Sequence, residues 1–200
     1  MGRSDHSWTE STAAVLALVA TACHARSREV TATEERVFRA FNRAPERIHA
    51  PVWVVMQSGS LAAVFVVAGD LHRRGRSRAA AVVATVGTAV WVGVKAVKPL
   101  IGRGRPADHL DGVLIRGKAP TGLGYPSGHA AVALTLALVA TSRSRTPVRA
   151  AAVTAALLTG GARMYVGAHL PLDVIGGFAI GALCGRLAAE IDELPGAGRQ

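Results

Sequence analysis

The sequence predicts an all-α fold, a polytopic membrane helical bundle with five clear spans. Half of its 200 residues are apolar and its mean hydropathy is +0.30. Residues 50–69 carry no charge, which matches the about 20 apolar residues needed to cross a hydrocarbon core. Four further apolar stretches, near 79–98, 127–141, 150–166 and 170–189, are longer than core strands and are separated by short basic loops. The stretches are rich in Ala and Gly rather than Leu, and small residues permit close helix contact. A soluble Ala-rich bundle is the competing reading for the shorter ones.

Taken in order, residues 1–33 form an N-terminal segment whose role stays open. Its apolar run, 12–23, reads as a candidate sixth span, a signal-peptide core or a surface helix; twelve residues are short for a span. Asp5 and Glu10 against Arg3 make a poor basic leader. A membrane-embedded domain then covers 34–195, with a tail at 196–200. It opens on an amphipathic stretch, Glu34 to Arg47, with Val37, Phe38 and Phe41 at helical spacing. That stretch is either an interfacial helix or a solvated helix packed on the domain.

The net charge of +10 does not point to nucleic acid, because no basic run carries interleaved stacking aromatics. The charges flank the spans instead. His72, Arg73, Arg74, Arg76 and Arg78 follow the first span, and Arg143, Arg145 and Arg149 follow the third. Lys and Arg accumulate in short cytoplasmic loops, so this face is expected to be cytoplasmic, although the arginines between Arg26 and Arg47 pull the other way. Cys23 and Cys184 supply neither a disulfide framework nor a metal site.

If each stretch crosses once, the opposite face collects Lys98, Arg105, His129, Arg163, His169 and Asp173. Pro99, Gly102, Gly104 and Pro106 break the helix between Lys98 and Arg105, so both can turn into one pocket, although a Lys or Arg at a membrane edge also snorkels, as Lys95 and Arg103 are read to do. Pro126-Ser127-Gly128-His129 opens a helix. Its free backbone N–H groups and positive dipole end suit phosphate oxygens, with an imidazole alongside. Pro171 begins the last helix, with His169 just before it and Asp173 in its first turn. A carboxylate four residues on can hold one ring nitrogen and leave the other unprotonated.

Lys98 with Arg105-Pro106, then Pro126-Ser127-Gly128-His129, then Arg163, His169 and Asp173 together resemble the three-part signature of the type-2 phosphatidic acid phosphatase family, whose site is shared by vanadium-dependent haloperoxidases. Ala162 departs from it, since the family usually has Ser before the third-motif arginine.

The resemblance implies that 34–195 is a phosphatase domain hydrolysing a lipid phosphate or polyprenyl (di)phosphate through a phosphohistidine, without a metal or other cofactor. In that scheme His169 is the nucleophile, Asp173 orients it, and His129 is the acid and base; Lys98, Arg105, Ser127, Gly128 and Arg163 hold the phosphate. Asp108, His109 and Asp111 are read as solvated loop residues rather than a metal cluster. The expected setting is the plasma membrane, multi-pass, with the site on the extracytoplasmic face. The partners are a membrane lipid phosphate and the bilayer, with oligomeric state open. A non-catalytic phospholipid-binding or transport protein and a vanadate-dependent oxidant are the rival readings.

Overall fold

Eight α-helices carry the chain through residues 3–193, the part described by the computed structural model; the expected tail at 196–200 lies outside the described residues. They are α1 (Arg3–Arg26), α2 (Ala32–Asn42), α3 (His49–Gln57), α4 (Leu61–Arg73), α5 (Ser77–Ile101), α6 (Gly128–Ala140), α7 (Thr146–Tyr165) and α8 (Pro171–Glu193). Among the described residues there is no strand. The all-helical expectation therefore holds. Side chains set several starts: Thr31 Oγ1 accepts the Glu34 N–H at 3.1 Å to cap α2, and Ser60 Oγ accepts the Ala63 N–H at 3.2 Å to cap α4.

By length and composition, the described residues contain two helices able to cross a membrane, within 77–108 and 171–192, or three if the bent α3–α4 pair counts as one. The 50–69 stretch is not one straight helix: it breaks at Ser58-Gly59-Ser60 and bends by 60°. The cause is a close approach. A Cβ at Gly59 would lie 2.2 Å from the His129 carbonyl oxygen, so glycine there lets the bend pass against the first turn of α6.

Helix α6 has only 13 residues, about 20 Å, and every residue from Ala130 to Val139 is buried. It is the central post of the bundle, enclosed by α4, α5, α7 and α8. Gly177, Gly181 and Gly185 recur every four residues on the side of α8 that meets it. A Cβ would fall 2.4 Å from the Ser127 carbonyl oxygen at the first and 2.5 Å from that of Ala131 at the second. Side chains there would hold the two backbones apart. The outward surfaces are apolar instead: Phe65, Val66, Val92, Leu158 and Leu187 are exposed.

At the end of the bundle where α6 finishes, Arg76 donates to the Ala140 carbonyl at 2.8 Å, and Arg76 and Arg143 both pair with the buried Asp192. The two arginine-rich loops thus lie together at one end, while α5 finishes and α6 starts at the other. Helix α1 runs the full 24 residues around the 12–23 run and packs on α8, with Thr21 Oγ1 2.9 Å from the Tyr125 hydroxyl.

Of the amphipathic stretch Glu34 to Arg47, residues up to Asn42 lie in α2. The buried positions of α2 are Glu34, Phe38 and Asn42, whereas Val37 and Phe41 are exposed. Polar partners explain the turn of the helix: Asn42 Nδ2 donates to the carbonyls of Leu114, Met164 and Tyr165, and its Oδ1 accepts the Leu114 N–H at 2.9 Å. A polar side chain with every group paired can occupy a core-facing position.

Candidate active site

On α5, Trp91, Lys95 and Lys98 follow at steps of four and three and so share one face. Gly102, at φ +71°, ends the helix with its N–H on the Lys98 carbonyl and turns the chain inward. This face, together with Val94, Arg105, Gly128, His129, Arg163 and His169, lines a cavity of about 150 Å³. The volume suits a head group rather than a lipid tail, since whole-ligand pockets usually exceed about 300 Å³. Five of the six residues picked from the sequence line it, and the sixth, Asp173, is fully buried against His169.

His169 is 3% exposed. Arg105 Nη1 stands 3.0 Å from its Nε2 and 3.4 Å from its Nδ1, and a guanidinium can only donate; with Nδ1 also facing the Asp173 carboxylate, Nε2 is the better-placed acceptor. The Nδ1–H then faces Asp173 Oδ2 across a long 3.4 Å. Burial first, and then the charges of Arg163, Arg105 and Lys98, hold the imidazole well below its ordinary pKa, so the ring is neutral at neutral pH. The Asp173 carboxylate is fixed in turn: its Oδ2 accepts the Leu170 N–H at 3.0 Å and its Oδ1 lies 3.3 Å from Arg103.

The remaining residues divide between the cavity and its frame. Arg163 Nη1 lies 3.1 Å from Met56 Sδ, and its buried Nε has no hydrogen-bond partner among the described residues. A buried donor left unpaired at a cavity wall is suited to an incoming acceptor. His129 meets the edge of the Trp91 ring at 5.5 Å between centroids, and the Lys95 ammonium sits 4.9 Å over the same indole. Arg105 also donates to the carbonyls of Thr121, Gly122 and Ala168, which fixes the loop 107–125 beside the cavity.

Two expected phosphate ligands also hold backbone atoms. Lys98 Nζ spends its donors on the carbonyls of Leu123 and Gly124, both at 2.8 Å, and of Pro126 at 3.0 Å, tying down the turn that leads into α6. Ser127 is fully buried; its N–H bonds the Asp173 carbonyl at 2.8 Å, and its Oγ is buried without a partner among the described residues. Gly128, not Ser127, reaches the cavity wall. Asp108 Oδ2 accepts the Arg105 N–H at 2.6 Å and so serves the turn after Arg105.

One residue escaped the sequence reading, and a second that it flagged lies away from the cavity. Arg103, taken there as a snorkelling cation, is wholly buried and paired with both Glu34 and Asp173. The Gly-Arg-Gly-Arg order gave no sign of which arginine faces which partner. Ala162, the departure from the motif, is buried and lines a separate apolar cavity of about 280 Å³ with Phe41, Ile48 and Leu158. Its methyl group therefore does not border the His169 cavity.

An all-helical frame with apolar outward surfaces buries a His–Asp pair beside several cations, and sequence comparison names the class. The PAP2 superfamily model matches residues 78–193, and the chain belongs to that superfamily. An undecaprenyl-diphosphatase of Sulfolobus acidocaldarius is 33% identical over 88 residues, which is 44% of this chain; the chain spans only 43% of that relative's length. The crystal structure of Aquifex aeolicus LpxE superposes with a TM-score of 0.70 at 26% identity, covering 81% of this chain and 98% of that one. A PAP2-type phosphatidylglycerolphosphate phosphatase from Bacillus subtilis gives a TM-score of 0.76 at 22% identity, with 95% and 99% covered, and is a likeness of fold.

Proposed function

We propose that the protein is a membrane phosphatase that hydrolyses a lipid phosphate through a phosphohistidine, without a metal. The observation that supports this reading is a buried His169, 3.0 Å through Nε2 from Arg105, on the wall of the cavity that His129, Arg105 and Arg163 also line. In the first step Nε2 bonds to phosphorus as the ester P–O bond breaks, and His129 gives its proton to the departing oxygen. Asp173 balances the imidazolium charge. In the second step His129 takes a proton from water, whose oxygen displaces His169 from phosphorus and releases inorganic phosphate. Arg105, Arg163 and the Gly128 N–H stabilise the equatorial oxygens, the task a metal ion performs in other phosphoryl-transfer sites. Lys98 supplies charge while framing the site, and Ser127 contributes once its hydroxyl turns toward the cavity.

The membrane arrangement belongs to the same proposal. The α3–α4 pair, α5, α6, α7 and α8 make five crossings; α6 can be short because protein surrounds it. Residues 34–195 form the phosphatase unit in the plasma membrane, with α1 packed on it. The arginine-rich end is cytoplasmic and the cavity extracytoplasmic.

Lys95 favours a second reading of the substrate, a lipid diphosphate. It lies on the His129 side of the cavity, where a departing group that keeps a charged phosphate would need a cation. The test is a panel of phosphatidate, phosphatidylglycerol phosphate and a polyprenyl diphosphate assayed in detergent for phosphate release. Turnover is expected to survive excess chelator and to be blocked by vanadate, which mimics five-coordinate phosphorus. In Lys95→Gln the diphosphate-to-monoester ratio of kcat/KM is expected to drop if the second reading is right. Binding of the lipids without any phosphate release would support a transport or binding protein instead.

A further inference from the structure

The clamp behind Asp173 is built from Arg103, at a position between the motif's Lys98 and Arg105, and Glu34, which lies outside the motifs. Arg103 Nη2 donates to Glu34 Oε2 at 2.6 Å, and Nη1 to Glu34 Oε1 at 2.9 Å and to Asp173 Oδ1 at 3.3 Å. Glu34 Oε1 also accepts the Leu172 N–H at 3.0 Å, which ties α2 to the first turn of α8. The Arg103 side chain is 0% exposed and that of Glu34 4%. Glu34 lies well ahead of the segment 78–193 that matches the superfamily.

The charge arithmetic gives the clamp a purpose. One guanidinium between two carboxylates leaves a net negative charge behind His169. Without Glu34, the whole charge of Arg103 would fall on Asp173 in a dry site, where opposite charges attract strongly. Asp173 would then have less to offer the imidazolium that forms when His169 bonds to phosphorus. With Glu34 in place, the bidentate pair absorbs most of that charge and fixes the plane of the guanidinium. Arg103 then grips Oδ1 of Asp173 and leaves Oδ2 for the ring.

We infer that Glu34 is a positioning residue for the phosphohistidine step: acting through Arg103, it aims the Asp173 carboxylate and preserves its negative charge for His169. It touches neither substrate nor reacting atoms. The inference rests on the hydrolase reading above.

The measurement is a steady-state kcat and KM on a short-chain phosphatidate in detergent, for wild type, Glu34→Gln, Glu34→Asp and the double variant Glu34→Gln/Arg103→Met. Glu34→Gln keeps an acceptor for the Leu172 N–H but loses the charge. Its kcat is expected to drop roughly ten- to hundred-fold, the range for residues that orient a reacting group from behind, with KM within about twofold of wild type. Glu34→Asp is expected to recover part of the kcat. The double variant removes the Glu34 and Arg103 charges together and leaves Asp173 held by the Leu170 N–H and His169 alone, so it separates loss of the clamp from the effect of an unbalanced Arg103, and its kcat is expected to stay low. A double variant with wild-type kcat, or a Glu34→Gln loss confined to KM, would overturn the inference. His169→Ala is run beside them. If wild type releases no phosphate, the hydrolase reading itself fails; if His169→Ala turns over like wild type, the phosphohistidine step fails; if it is inactive while Glu34→Gln is fully active, only the role of Glu34 falls.

Discussion

At His169 the direction of one hydrogen bond decides the chemistry. Because Arg105 can only donate, it favours the tautomer with a bare Nε2, and a phosphate accepting that same N–H would leave the lone pair uncovered at attacking distance. The neutral state also shapes stability. The folded-state pKa lies below the unfolded value of about 6.5, so the stability gained by keeping the ring neutral is complete above that pH and is lost as pH falls below it toward the folded value. The wild type should therefore lose melting temperature between pH 7.5 and 5.5 faster than His169→Asn does, and parallel curves would contradict a buried neutral ring. The motif spacings made His129, Arg163, His169 and Asp173 legible in the sequence. Lys98 was legible as a cation but not as the brace for three carbonyls, because its acceptors are backbone atoms that leave no mark on residue type.

At the scale of elements, glycines set how closely the backbones meet around the site. Gly177 packs α8 onto the Ser127 turn, where a Cβ would lie 2.4 Å from a carbonyl oxygen and 3.0 Å from the Ala130 methyl. Gly177→Ala is expected to destabilise the protein by about 1–3 kcal/mol through overpacking and to cut activity, because the start of α6 and Asp173 move together through the Ser127 N–H bond. Thermal unfolding and phosphate release measured on one preparation check this; an unchanged melting temperature would mean that the helices have slack. Helix α2 shows what periodicity leaves out. Val37, Phe38 and Phe41 make an apolar face by pattern, but the buried face of Glu34, Phe38 and Asn42 is set by partners about 70 residues or more away in the chain. Tertiary pairing of that range has no local signature. The α3–α4 bend was equally hidden, since an uncharged run of the right length does not say that Gly59 must meet α6.

For the whole molecule, the apolar stretches and basic loops were enough to place the site and the arginines at opposite ends, and the Arg76–Asp192–Arg143 cluster draws the two basic loops together. The proposed sidedness has a direct test. With Cys23 and Cys184 replaced by Ala, a cysteine at the exposed position 107 should react with an impermeant thiol reagent added to intact cells, and one at position 75 should not. Reversed labelling would mean that the arginines of 26–47 dominate the topology and that the site serves the cytoplasmic leaflet.

The central claim is that His169 carries the phosphoryl group. In the His129→Ala variant the water step loses its base, while a substrate whose leaving group needs no protonation can still load the nucleophile, so brief incubation with such a substrate labelled in its phosphate should leave an acid-labile phosphoenzyme. Peptide mapping should place the label on His169, and the label should be absent from His129→Ala/His169→Ala. Label on another residue, or phosphate release by His169→Ala at the wild-type rate, would contradict the account.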